Sequence, residues 1–142
     1  MMVPAISFAG LADKAERWEG RHFNYGKTAQ CAAWVGDVVK QSGGTPPSGY
    51  AKCTRWLSWG KSVPASMMRR GDIVIYASNG SYNHIGIYKG NGKIVHRPTR
   101  YAKVRTMNVH YRRILGVRRG SGFSSSSDFN ILEAIFRKLT NI

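Results

Sequence analysis

Gly71-Asp72-Ile73-Val74-Ile75-Tyr76, seven residues, then His84-Ile85-Gly86-Ile87-Tyr88-Lys89-Gly90-Asn91-Gly92-Lys93-Ile94-Val95-His96 is the stretch that decides the fold. The turn signal Arg70-Gly71 precedes a β-rich run over 72–76, and Asn79-Gly80 marks a turn before a second strand over 82–89. Gly90-Asn91-Gly92 reads as a hairpin loop into a third strand over 93–96. Loop length then decides which side chains meet. A two-residue loop at Asn91-Gly92 would put His84 and His96 on opposite faces, whereas a three-residue loop over 90–92 pairs residues whose numbers sum to 182. Both histidines then share one face, because strand side chains alternate. Gly86 leaves room between them, and the three-residue loop is the expectation.

The pattern continues on both sides. Toward the C-terminus, two more strands are predicted over 103–109 and 111–118, extending an antiparallel meander. Toward the N-terminus the period changes to that of a helix. Phe8, Leu11, Ala15 and Trp18 are expected to line a first helix over 8–18. Cys31, Trp34, Val35, Val38 and Val39 form the apolar stripe of a second, stopped by Gly43-Gly44 and Pro46-Pro47. Tyr50, Cys53, Trp56 and Leu57 suggest a short third helix. Helices followed by strands give an α+β fold, N-terminal helices packed on an antiparallel sheet.

The chain has 142 residues and is 42% hydrophobic, which suits one domain with a real core plus an appendage. Lysine and arginine number 22 against 7 acids, a formal charge of +15. Arg97, Arg100, Lys103, Arg105, Arg112, Arg113, Arg118 and Arg119 fall within residues 97–119, where no acid occurs. Such a field attracts polyanions, including anionic cell-wall polymer. No nucleic-acid-binding motif accompanies it, so no specific nucleic-acid partner is expected. No apolar run reaches the length of a membrane span, and the N-terminus lacks the basic and apolar regions of a signal peptide.

The chemistry rests on Cys31, His84 and His96. A free thiol near pKa 8.5 is mostly protonated at neutral pH; a helix N-terminus and a nearby imidazole supply the thiolate. Cys31 opens the second helix. His84, at a strand start, is expected to act as acid and base, with His96 orienting it. His22 and His110 have no such context and are taken as structural. The only other cysteine, Cys53, lies 22 residues from Cys31; a bridge between the two would tie up the nucleophile. The chain has neither CxxC nor HxxxH spacing, so neither metal nor cofactor is expected.

Over roughly residues 12–117 this pattern resembles the NlpC family of papain-like peptidoglycan endopeptidases. The resemblance implies a papain-like fold with Cys31 as nucleophile, His84 as catalytic histidine and His96 as third residue. It also implies cleavage of amide bonds in peptidoglycan stem peptides, commonly between D-glutamate and a diamino acid, through a thioester. Two departures bear on the site. The family usually has Asp-Cys-Ser, whereas this chain has Gln30-Cys31-Ala32, closer to the related CHAP enzymes; Gln30 is then a donor for an oxyanion hole. The family tyrosine of the upstream motif falls on Phe23, with Tyr25 as its possible replacement. The alternative is a degenerate papain-like domain serving as a structural or binding module.

Residues 1–119 are thus read as the hydrolase domain and 120–127, Gly-Ser-Gly-Phe-Ser-Ser-Ser-Ser, as a linker. Asp128 caps a last amphipathic helix over 128–142, ending at Ile142, with Phe129, Leu132, Ile135, Phe136 and Leu139 on one face. The expectation is a docking helix for a phage tail or other delivery machine, carrying a wall hydrolase made in the cytoplasm to peptidoglycan. Release as a lysin through a holin, or secretion as an antibacterial effector, are the alternatives.

Overall fold

The computed structural model describes residues 8–80 and 82–120. The expected last helix over 128–142, and the expected linker beyond Gly120, lie outside them. Helix α1 (Phe8–Arg17) turns Leu11, Ala12 and Ala15 inward, and α2 (Cys31–Gln41) buries Ala32, Trp34, Val35, Val38 and Val39. These are the stripes that the apolar spacing gives. The third expected helix is a short 3-10 helix (Cys53–Ser58), whose Trp56 is fully buried. A second 3-10 turn (Ala65–Met67) follows it.

Among the described residues, six strands form one antiparallel sheet: β1 (Lys61–Val63), β2 (Ile73–Tyr76), β3 (His84–Gly90), β4 (Lys93–His96), β5 (Arg105–Asn108) and β6 (Ile114–Arg119), in the order β1-β6-β2-β3-β4-β5. Strands β2 to β5 are the expected meander. Strand β6 departs from it, because it crosses back to pair with β2 instead of extending from β5. Its start is also later than expected: His110 N–H bonds Asn108 Oδ1 and Tyr111 N–H bonds Asn108 O, which turns the chain before the strand begins. Strand β1 escapes a sequence reading altogether. Its three residues lie between Gly60 and Pro64 and bury only Val63, too short for a period to register.

Strand β2 is buried along its whole length because the sheet has a core on each face. Ile73, Ile75, Ile85, Ile87 and Val95 pack with Trp34, Val35, Val38 and Trp56 under the helices. Val74, Tyr76, Ile94 and Val109 form the second cluster. Truncating a fully buried tryptophan such as Trp34 or Trp56 to alanine costs about 3–5 kcal/mol. Asp72 fixes the start of β2 to the end of β6. Its buried carboxylate accepts from Arg119 Nε at 2.8 Å and Nη2 at 2.9 Å, and from the Arg69 N–H at 2.8 Å. Removing one partner of such a buried pair costs about 3–5 kcal/mol, since it strands the other charge.

The β3–β4 hairpin has the register that brings the histidines to one face, by a different device from the one expected. Ile87 pairs with Val95 and Tyr88 with Ile94, both summing to 182. The turn itself is the tighter one: Gly90 pairs with Lys93, and a bulge between Tyr88 and Gly90 restores the register. Asn91 at φ 54°, Gly90 at 101° and Gly92 at 72° supply the left-handed backbone this needs.

Candidate active site

Cys31 is the first residue of α2, so its side chain lies where backbone N–H groups have no partner within the helix. The chain enters this position through Ala29 at φ 54°, a left-handed conformation that alanine rarely adopts, and Gln30 then precedes the helix. His84 begins β3 opposite Tyr76, and His96 ends β4. Their imidazoles meet, His84 Nε2 to His96 Nδ1 at 2.7 Å, and both are buried. His84 also acts on Cys31, favouring its thiolate. With Nε2 engaged by His96, Nδ1 is the nitrogen left for the thiol. The structure thus brings together the three residues that the sequence singled out.

Electrostatics sort the protons. Cys31 is pulled down to about 4, first by a hydrogen bond from Cys53, against the opposing effect of burial, then by His84 and by the Ala32 N–H. Cys53 moves the other way, pushed well above the usual thiol range by its bond to Cys31 and by burial. The two thiols share one interaction, and Cys31 is the one that ionises because His84 and the helix start face it. His96 is held down at about 3 by burial, with His84, Arg105 and Arg112 adding to the effect, so it stays neutral. When His84 is an imidazolium both its nitrogens donate, so His96 must accept through Nδ1 and carry its proton on Nε2. That Nε2 is buried with no protein partner among the described residues.

A depressed pKa keeps the thiolate present above it and loses it only as the pH falls through it. Alkylation of Cys31 by iodoacetamide, followed on the tryptic peptide 28–40, is therefore expected to hold its rate from neutral pH down to about 5 and to fall below that. An inflection near the free-thiol value of 8.5 instead would show that Cys31 is not activated.

A cavity of about 650 Å³ opens over this group, lined by Gln30, Cys31, Cys53, Asn83 and His84 together with Lys52, Arg97 and Arg100. Gln30 is in place beside the thiol; its Oε1 accepts from Asn24 Nδ2 at 3.0 Å, leaving the Nε2 hydrogens as donors. Tyr25 is not brought to the site. It is 63% exposed, packs on His22 and Tyr101, and does not line the cavity. The hydrophobic partner of its loop, Phe23, goes into the core against Trp18 instead.

Arg97 differs from its sequence reading as part of an open basic field. It is buried, and its guanidinium donates to the carbonyls of Phe23, Asn24 and Lys27, which clamps the loop before α2. Arg118 and Arg119 are likewise used internally, on Leu57 O and Asp72. Arg100, Lys103, Arg105 and Arg113 remain exposed. Tyr111 had no signal in the sequence. Its ring lies 6.2 Å from His84 and 5.7 Å from His96, and burial, its main cause, pushes its phenol up to about 12.

The sequence profile of the NlpC/P60 family matches residues 18–119. The chain belongs to the NlpC/P60 family. The family is one of cysteine peptidases. One relative, the murein DD-endopeptidase/murein LD-carboxypeptidase MepS of Escherichia coli K12, is 30% identical over 95 residues, 63% of this chain and 48% of that protein. The peptidoglycan endopeptidase RipA of Mycobacterium tuberculosis is 46% identical over 50 residues, 35% of this chain and 10% of RipA. The chain spans about half or less of the length of these relatives. Among solved structures, the NlpC/P60 domain of the peptidoglycan hydrolase SagA superposes with a TM-score of 0.65 at 19% identity, covering 80% of this chain and 99% of that one. A NlpC/P60 family protein from Bacillus cereus gives 0.67 at 20% identity, covering 82% of this chain and 41% of that one. These likenesses identify the fold as the papain-like NlpC/P60 domain. Among the described residues no helix is long and apolar enough to cross a membrane.

Proposed function

We propose that this domain hydrolyses amide bonds of peptidoglycan stem peptides with Cys31 as nucleophile, His84 as acid and base, and His96 as the group that orients His84. The observation that carries the reading is the contact of His84 with His96 at 2.7 Å, on the imidazole that shares a cavity with a thiol at a helix start. The Cys31 thiolate attacks the carbonyl carbon. The resulting oxyanion lies within reach of the free N–H groups at the start of α2 and of the Gln30 amide. His84 gives its proton to the leaving amine, and a thioester remains on Cys31. Water then attacks the thioester as His84 takes its proton, and the thiolate is released. Lys52 and Arg100, exposed cations on the cavity wall, suit a substrate rich in carboxylates.

Digesting purified sacculi and identifying the muropeptides by mass spectrometry tests the scissile bond. The relative named γ-D-glutamyl-L-lysine dipeptidyl-peptidase in Bacillus subtilis, 30% identical over 71 residues, supports cleavage after D-glutamate. The expected products are glycan-attached stems ending at D-glutamate. Bare glycan with complete free stems would make the enzyme an amidase instead. For delivery, the apolar spacing of Phe129, Leu132, Ile135, Phe136 and Leu139 in the sequence supports residues 128–142 as a tether to a phage tail or other delivery machine. Deleting residues 128–142 is expected to preserve lysis of sacculi and abolish co-sedimentation with the particle; retention on the particle would count against the tether.

A further inference from the structure

Cys53 is a second thiol in the cavity, and the hydrolytic steps above form no bond to it. Its Sγ lies 3.5 Å from the Sγ of Cys31, and both thiols are free. Both line the open cavity and are only partly buried, so a small oxidant reaches them. The placement is not that of a loose loop. Trp56, one turn beyond Cys53, is fully buried and donates from Nε1 to Tyr50 O at 2.9 Å. Trp59 Nε1 donates to Thr45 O at 2.9 Å. The Tyr50 ring lies so close to Gly36 of α2 that a Cβ there would come within 2.0 Å of it. The segment carrying Cys53 is therefore seated on the helix that carries Cys31.

We propose that Cys31 and Cys53 are a peroxide-responsive modification site, closing to a disulfide inside the cavity. The Cys31 thiolate attacks hydrogen peroxide, the O–O bond breaks, and Cys31 becomes a sulfenic acid as hydroxide leaves. Peroxide takes two electrons from sulfur in this step. The Cys53 thiol then loses its proton and attacks Cys31 Sγ; the S–O bond breaks and the departing hydroxide takes up that proton as water. The balance is two thiols and one peroxide giving one disulfide and two waters. The sulfurs must close by about 1.5 Å to reach a bond of about 2.05 Å. A dithiol returns two electrons and two protons and restores both thiols. Without a neighbouring thiol, a sulfenic acid goes on to the sulfinic acid, which thiols do not reverse. Cys53 thus protects Cys31 while holding it inactive.

The loss of hydrolysis in the bridged form rests on Cys31 being the nucleophile; the chemistry of the pair does not. The test uses the full chain in its native state, treated with hydrogen peroxide, alkylated and digested with trypsin. The expected result is a peptide pair, 28–40 joined to 53–55, two hydrogens lighter than the separate peptides and released by dithiothreitol. Excess peroxide that yields free or separately oxidised cysteines and no joined pair overturns the proposal. Cys53→Ser gives a second reading: its Cys31 is expected to gain two oxygens irreversibly. Recovery of the Cys53→Ser thiol by dithiothreitol as complete as in the wild type also overturns the proposal. Clearing of sacculi, measured on the same oxidised wild-type sample, is expected to stop and to return with dithiothreitol. A joined pair that still clears sacculi at full rate would leave the bridge standing and refute Cys31 as nucleophile.

Discussion

Cys31→Ala is expected to abolish the clearing of purified sacculi, with a loss of at least about 10⁴-fold in kcat and a folded protein remaining. The size follows from what Cys31 does. It forms the covalent intermediate, so without it the route is replaced, not slowed. The fold is expected to survive because the side chain contributes little packing: Cys31 is only partly buried and sits at the edge of the main core. The rest of α2 is held by Trp34, Val35, Val38 and Val39. Circular dichroism and thermal unfolding should therefore match the wild type while turbidity of a sacculus suspension stays constant. Clearing that persists in the alanine variant would end the nucleophile assignment. Cys31→Ser is the closer comparison. Its hydroxyl keeps the shape but ionises far less readily than the thiol, so its activity should lie near that of Cys31→Ala, not of the wild type.

Most of this site was legible because three local rules converge. A helical stripe starting at Cys31 placed the thiol at a helix N-terminus, and the α2 boundary falls there. Alternation along β3 and β4 reduced the question of whether two histidines meet to the parity of one turn. The hairpin met that requirement with a tight turn and a bulge, because the left-handed backbone of Gly90 and Asn91 makes both available within three residues. What could not be read were contacts made across the chain. The return of β6 to β2 is joined by the Asp72–Arg119 pair, between residues 47 apart, which no local period encodes. Arg97 follows His96 in a run of cations, and only the folded loop reveals that its charge is used on carbonyls 70 or more residues away. Cys53 was legible as a bridge partner for Cys31 and as one position of a short third helix; its place beside Cys31 depends on how the 3-10 helix seats against α2.

The second large effect is expected at the histidine pair. His84→Ala should lower kcat by about 10²–10⁴-fold, the usual worth of a positioned acid and base, and should also slow alkylation of Cys31. His96 acts one step further out, as a positioning residue. Its neutral ring, held down at about 3, offers Nδ1 as an acceptor throughout the working pH range. It therefore fixes which nitrogen of His84 faces the thiol and stabilises the imidazolium without competing for its proton. His96→Ala should lower kcat by about 10–10³-fold with KM nearly unchanged, because the cavity wall that binds substrate does not include His96. His96→Asn, which keeps an acceptor oxygen near the same place, should recover part of the loss. A purely structural role predicts otherwise. A buried ring removed from the end of β4 would then lower stability and activity together, and asparagine would fare no better than alanine. Equal kcat values for His96→Ala and His96→Asn, both reduced alongside a lower unfolding temperature, would remove His96 from the mechanism. The hairpin register would then be a device for packing alone.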